Sequence, residues 1–208
     1  MLDFQQLSIF VATSFLLAVT PGPDILYVLT RGMTQGRKAA LSAAAGFSLG
    51  NIAHTAFAVA GLSAVLMSSA AAFAAIKYAG AAYLIYIGWK TLRSGAAHLE
   101  NGNGKILSPK AIFIQSITAN ILNPKVALFF LAFFPQFIKP QNGSTALQMI
   151  MLGSVFITCT FIVFSLSGLL AGSMGDWLKK NEKAGALLNK AAGVILIALG
   201  LSLALHKR

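Results

Sequence analysis

A hydrocarbon core about 30 Å thick is crossed by roughly 20 apolar residues of helix, and this chain supplies that length repeatedly. The runs are Phe4–Leu29, Ala39–Met67, Ala71–Leu92, Ala111–Phe134, Thr145–Ala171 and Ala186–Leu205, separated by short polar gaps. They are too long and too evenly apolar for barrel strands, and they lack period-two alternation. The expectation is an all-α membrane protein with six transmembrane helices. Composition agrees: 57% of the 208 residues are hydrophobic and 10% charged, with a mean hydropathy of +0.75. A water-soluble chain is about 25% charged, so polar material is lacking to coat a soluble sphere. The first run has only Asp3 ahead of it, no basic leader and no small-x-small cleavage site, so it reads as a retained helix rather than a secretory signal.

The net charge of +11 would suit a nucleic-acid partner if the cations shared an exposed face. Here they mark topology instead. Arg31, Arg37, Lys38, Lys90, Arg93, Lys105, Lys110, Lys179, Lys180, Lys183 and Lys190 fall in or beside gaps one, three and five, whereas Lys139, Lys207 and Arg208 fall on the other side. Lys77 and Lys125 lie within helices. The positive-inside rule then puts both termini outside the cytoplasm, and no nucleic-acid partner is expected.

The longest polar stretch, Arg93–Lys110, contains Asn101-Gly102-Asn103-Gly104 and divides the helices three and three. The chain thus reads as one membrane domain (1–208) in which residues 1–92 and 111–208 are three-helix repeats joined by a cytoplasmic linker (93–110). Pro21 and Pro124 are 103 residues apart, as are Gly50 and Gly153, and Lys77-Tyr-Ala-Gly80 is echoed 113 residues on by Lys190-Ala-Ala-Gly193. Because three is odd, the second copy enters the membrane from the opposite face. Inverted repeats of this kind mark transporters, with substrate near the midplane at interrupted helices. The interruptions expected are Thr20-Pro21-Gly22-Pro23-Asp24, which removes the helical partners of the Leu17 and Val19 carbonyls, and Asn120-Ile-Leu-Asn123-Pro124-Lys125, which releases the carbonyl of Asn120. Broken backbone at depth is tolerated where it is buried or lines a wet cavity; the plainer alternative is a pair of proline kinks.

Of five acids, Asp24 alone lies at depth, where a charge costs about 2.5–3.5 kcal/mol and calls for a partner or a role. Lys125 stands one residue after the matching proline, so the two could share a cavity; alternatively Asp24 pairs with Arg31 on its own helix, or Lys125 snorkels. The second helix carries Ser48, Asn51 and Thr55 at helical spacing with His54 beside them, which reads first as interhelical hydrogen bonding next to a Gly46-xxx-Gly50 packing face, with ligand binding as the alternative. His54 is also the fallback titrating group. Gly46-Phe-Ser48-Leu-Gly50 matches a hydrolase pattern, but no strand precedes it, and Ser48 and His54 diverge by about 240° on one helix. With a single cysteine, Cys159, and no other motif of a metal or cofactor site, neither enzyme, metal nor cofactor is expected.

Pro21-Gly22-Pro23-Asp24, Lys77-Tyr-Ala-Gly-Ala-Ala-Tyr83-Leu-Ile-Tyr86-Ile-Gly88 and Asn123-Pro124-Lys125 together resemble the lysine exporter and homoserine/threonine exporter (LysE/RhtB) family, along the whole chain. The resemblance implies a homodimeric, proton-driven exporter of amino acids in the inner membrane. Carried onto this sequence, it marks Pro21, Gly22, Pro23 and Pro124 as helix-break residues and Asp24, Asn120, Asn123 and Lys125 as site residues, to which the polar stripe adds Asn51 and His54. Some members have an acid where this chain has Asn51, so a second proton-carrying carboxylate is not expected there. The competing classes are a passive small-solute channel, although no Thr-Val-Gly-Tyr-Gly filter is present, and an intramembrane hydrolase resting on Ser48.

Overall fold

Proline and glycine decide where these helices start and stop. The computed structural model describes residues 3–62, 70–93, 106–171 and 182–205, and among the described residues there is no strand. Helix α1 (Phe4–Val19) is capped by Asp3, whose Oδ1 accepts from the Gln6 N–H at 2.6 Å. Helix α2 (Pro23–Gln35) begins with proline at its first position and stops at Gly36, whose φ of +79° is the left-handed conformation that glycine adopts freely. Helix α3 (Arg37–Phe57) continues through a π turn, Ala58–Leu62. Then come α4 (Ala70–Arg93), α5 (Pro109–Ile121, capped by Ser108) and α6 (Pro124–Leu128), which runs on through a π turn, Phe129–Phe133, and a 3₁₀ turn, Phe134–Phe137. Helices α7 (Thr145–Leu169, capped by Ser144) and α8 (Glu182–Leu205) complete the order.

The first expected helix, Phe4–Leu29, is therefore two helices meeting at 58°, and the second of them reaches Gln35. The fourth, Ala111–Phe134, is likewise α5 and the α6 segment, meeting at 46°. Proline acts twice at the first break. Pro21 cannot continue α1, and Pro23, with its φ already set, starts α2.

By length and composition, α3 with its π turn and α7 can each cross a membrane, and each bent pair can add one crossing, giving two to four. Helix α4 does not enter that count, and α8 contributes only the shorter apolar stretch Lys190–Leu205. The linker motif Asn101–Gly104, residues 63–67 of the second expected run, and Lys207 and Arg208 lie outside the described residues. Large apolar side chains are exposed around the bundle, among them Ile52, Phe57, Leu122, Val194 and Leu201, as a lipid-facing surface requires.

Helices α4 and α8 run antiparallel with their backbones in close approach. A Cβ on Gly88 would stand 2.8 Å from the Gly193 carbonyl, and one on Gly200 2.8 Å from the Ala81 carbonyl, the small-residue packing by which membrane helices associate. Helix α3 packs against α5 and α7, and the Gly46–Gly50 face expected from the sequence lies on α5, against Phe113, Ser116 and Asn120.

Two apolar clusters divide the interior. One is built of Phe10, Phe129, Phe130, Phe134, Phe137 and Phe156 with their neighbours; the other joins Ile25, Val28, the α3 alanines, Ile112 and Phe164. Beyond the first cluster, Lys139 Nζ donates to Asp3 Oδ2 at 2.7 Å and Gln6 Nε2 donates to the Phe137 carbonyl. The Lys139 ammonium, with the Gln6 N–H, holds the Asp3 carboxyl below its usual range. At the opposite end Gln35 Nε2 donates to the Leu107 carbonyl at 2.9 Å, and Tyr27 OH to Gln115 Oε1 at 2.6 Å.

The chain start and the α6–α7 connection thus share one end of the bundle, and the α2–α3 connection and the start of α5 share the other. In a Cys159→Ser background, Asp3→Cys paired with Lys139→Cys should be bridged by a short bifunctional thiol reagent in native membranes. Asp3→Cys paired with Leu107→Cys should give no intramolecular product, read as a mobility shift on denaturing gels.

Candidate functional site

Both helix breaks deliver a charge to the same place. Gly22 caps α2 without a side-chain hydrogen bond, and Asp24 follows in the first turn, where a helix N-terminus favours a carboxylate. In the other half Asn123 caps α6, its Oδ1 accepting from the Lys125 N–H at 3.0 Å. This turn directs the Lys125 side chain back across the bundle. Its Nζ lies 3.3 Å from Asp24 Oδ1 and 3.4 Å from the Thr20 carbonyl oxygen. The side chains of Lys125 and Asp24 are only 6% and 4% exposed. Arg31, the other partner open to Asp24 from the sequence, instead donates to Gln35 Oε1 at 2.6 Å and covers the Tyr27 ring. Lys125 does not snorkel: its ammonium is held inside.

The Thr20 carbonyl was missed by sequence reasoning, although it is an acceptor that a continuous helix would have given to the Asp24 N–H. The Asn120 carbonyl, expected to be released, is recaptured. It accepts from the Asn123 N–H at 2.9 Å, a tighter turn than the α-helical one, and from His54 Nε2 at 3.1 Å. A carbonyl can only accept, so this His54 nitrogen carries the proton. The ring also stacks on Phe130, centroids 5.5 Å apart.

A cavity of about 10 Å³ adjoins the ion pair, lined by Asp24, Lys125, Asn51 and Asn120 among polar groups and by Phe156 and Phe164 among apolar ones. This is room for about one water. Asn123 and His54, also expected at the site, stand outside the lining, one as the cap of α6 and the other on the Asn120 carbonyl. Thr160, Val126, Leu17 and Ala18 complete the wall. Apart from Leu17, marked in the sequence only for its released carbonyl, none was singled out from sequence, because which face of a uniformly apolar helix turns inward has no signal in such a run.

The polar stripe on α3 departs from expectation. Ser48 and Thr55 return their hydroxyls to their own helix, to the carbonyls of Ala44 and Asn51, and His54 is the member that bonds across. Ser48, in mid-helix, has no strained turn of the kind a hydrolase nucleophile needs. Asn51 is fully buried, yet neither its Oδ1 nor its Nδ2 has a partner, and Asn120 Oδ1 is orphaned likewise. Each such group costs about 1–3 kcal/mol. No group of three or more potential metal-ligating side chains occurs among the described residues.

Gly22 supplies the room for the ion pair. A Cβ there would lie 2.8 Å from Asp24 Oδ1 and 3.0 Å from Lys125 Nζ, while its extended backbone suits any residue. Gly22→Ala should therefore wedge the charges apart and lower the melting temperature in detergent by roughly 5 °C, from a cost of about 1–3 kcal/mol. Gly61→Ala, with open space around it, should stay within about 2 °C of the parent.

The chain is 32% identical to the homoserine/homoserine lactone efflux protein of Salmonella typhimurium, over 98% of each. It is 27% identical to the leucine efflux protein of Enterobacter, over 94% of this chain and 93% of that one. An uncharacterised membrane protein of Bacillus subtilis is 30% identical over 95% and 97%. No solved structure matches. The model of the LysE type translocator family matches residues 15–207, so the chain belongs to the LysE type translocator family and is a membrane transporter rather than an enzyme.

Proposed function

We propose that this protein is a secondary carrier that exports amino acids across the cytoplasmic membrane, by proton antiport, with Asp24 and Lys125 as its binding charges. The observation that carries the proposal is the buried pair of opposite charges at two helix breaks beside a cavity. An amino-acid zwitterion has the same two charges, so its ammonium can replace Lys125 at Asp24 while its carboxylate takes Lys125. A buried charge is costly unless paired, and with Asp24 ionised each charge keeps a partner in both the empty and the loaded arrangement. The relatives named as efflux proteins for homoserine, its lactone and leucine support the substrate class and the outward direction.

With room for about one water, the cavity lies between two apolar clusters; this suits the occluded stage of a carrier better than an open pore. Asp24 is the acid at depth. Its protonation from outside would leave the substrate ammonium without a counter-charge, release it, and bring the proton inward as the carrier returns.

The six-span reading, with inverted repeats over 1–92 and 111–208, has independent support. Helices α4 and α8 have 24 residues each, about 36 Å at 1.5 Å per residue, long enough to span. Their close approaches, Gly88 on Gly193 and Gly200 on Ala81, relate Ala81 to Gly193 and Gly88 to Gly200 at a spacing of 112, within one residue of the spacing of the Lys77–Gly80 echo, which supports a two-fold between the repeats. The sharing of one bundle end by Asp3 and Lys139, and of the other by Gln35 and Leu107, fits an even number of crossings before the α6–α7 connection. We place both termini outside the cytoplasm and the 93–110 linker inside, in the inner membrane, and on the family resemblance we propose a homodimer.

The test is efflux of preloaded labelled amino acids from cells with and without the protein. Asp24→Asn should insert normally yet lose export against a gradient. Lys125→Met should weaken handling of an amino acid about tenfold more than that of its methyl ester, which lacks the carboxylate charge. Normal concentrative export by Asp24→Asn would contradict its role.

A further inference from the structure

Asn51 holds a donor and an acceptor that the protein leaves unused. It is fully buried on α3, lines the cavity beside the ion pair, and has no partner for either amide atom. Asn120 Oδ1, in the same wall, is also without one. The neighbouring hydroxyls are committed elsewhere: those of Ser48 and Thr55 to their own helix, and that of Thr160 to the Phe156 carbonyl. Buried polar groups in native proteins are nearly always satisfied, and one that is not calls for an explanation, a bound group among them. The charges of the lining are confined to the Asp24–Lys125 pair, and the remaining wall is apolar apart from Thr160.

This has a consequence for selectivity, resting on the proposal that the ion pair takes the ammonium and carboxylate of an amino acid. The rest of the substrate then faces the two amides. An aliphatic side chain would leave them unpaired, whereas a hydroxyl or carboxamide offers both a donor and an acceptor. A second full charge would find no counter-charge. We infer that Asn51 is a specificity-determining residue, selecting amino acids with a short, uncharged polar side chain over their apolar isosteres and over cationic or acidic ones.

Two isosteric pairs isolate the polar atoms from shape: threonine against valine, and asparagine against leucine. In vesicles holding the purified full-length protein, the wild type should transport the polar member about tenfold faster at limiting concentration, since losing a hydrogen bond in a buried site leaves a group orphaned. Asn51→Leu should reduce that ratio about tenfold, and Asn51→Gln, which keeps an amide, should preserve a polar preference. An unchanged ratio in Asn51→Leu, or a wild type that prefers the apolar members, overturns the inference. If Asn51→Leu does not fold, the melting temperature of the wild type decides. Threonine and asparagine should raise it at concentrations where valine and leucine do not, and equal shifts overturn the inference. A wild type that neither transports nor is stabilised by any of the four contradicts the amino-acid reading itself, and this inference with it.

Discussion

An ammonium and a carboxylate 3.3 Å apart, almost wholly withdrawn from solvent, can persist at membrane depth only as a pair. Removing one partner of a buried pair costs about 3–5 kcal/mol, because the other is left charged without compensation. That constraint organises what surrounds it. The Asn123 cap fixes the start of α6 so that Lys125 reaches across, Gly22 leaves the space that the ammonium fills, and Thr20, at the end of α1, turns a carbonyl towards it. A charged group that only its opposite can neutralise is also what a zwitterion can displace, and so structural support and proposed transport chemistry fall on the same two residues.

The two breaks are alike but unequal. Pro23 and Pro124 each stand at the first position of a helix, with Asp24 and Lys125 one residue on, whereas Pro21, after the end of α1, has no counterpart between α5 and α6. The breaks thus share a backbone device, a proline that starts the second helix, while dividing the charges between them. Apolar clusters on either side keep water from this polar layer, which strengthens the attraction inside it and makes any opening a concerted separation of packed helices.

Much of this was legible in the sequence. Long apolar runs specify helices, and prolines two residues apart, or beside an asparagine cap, specify where helices break. Asp24 stood out because a charge at depth is rare. The extent of α2 to Gln35 was not legible, since Arg31 and Gln35 look like a polar gap until they are seen bonded to each other at the helix end. The contact of His54 with the Asn120 carbonyl joins residues 66 apart, and local spacing carries no trace of it. Nor could the Ser48–Thr55 stripe reveal which members bond to their own helix and which remain unpartnered, because all are short polar side chains on one face. The apolar wall at Phe156 and Phe164 was hidden in a run in which almost every residue is apolar.

The most direct test of the central claim is a double-mutant cycle on stability in detergent. If Asp24 and Lys125 sustain each other, Asp24→Asn and Lys125→Met should each destabilise by about 3–5 kcal/mol. The double variant, in which no charge is left alone, should lose less than the sum by at least about 2 kcal/mol. Strict additivity of the two single losses would contradict the account.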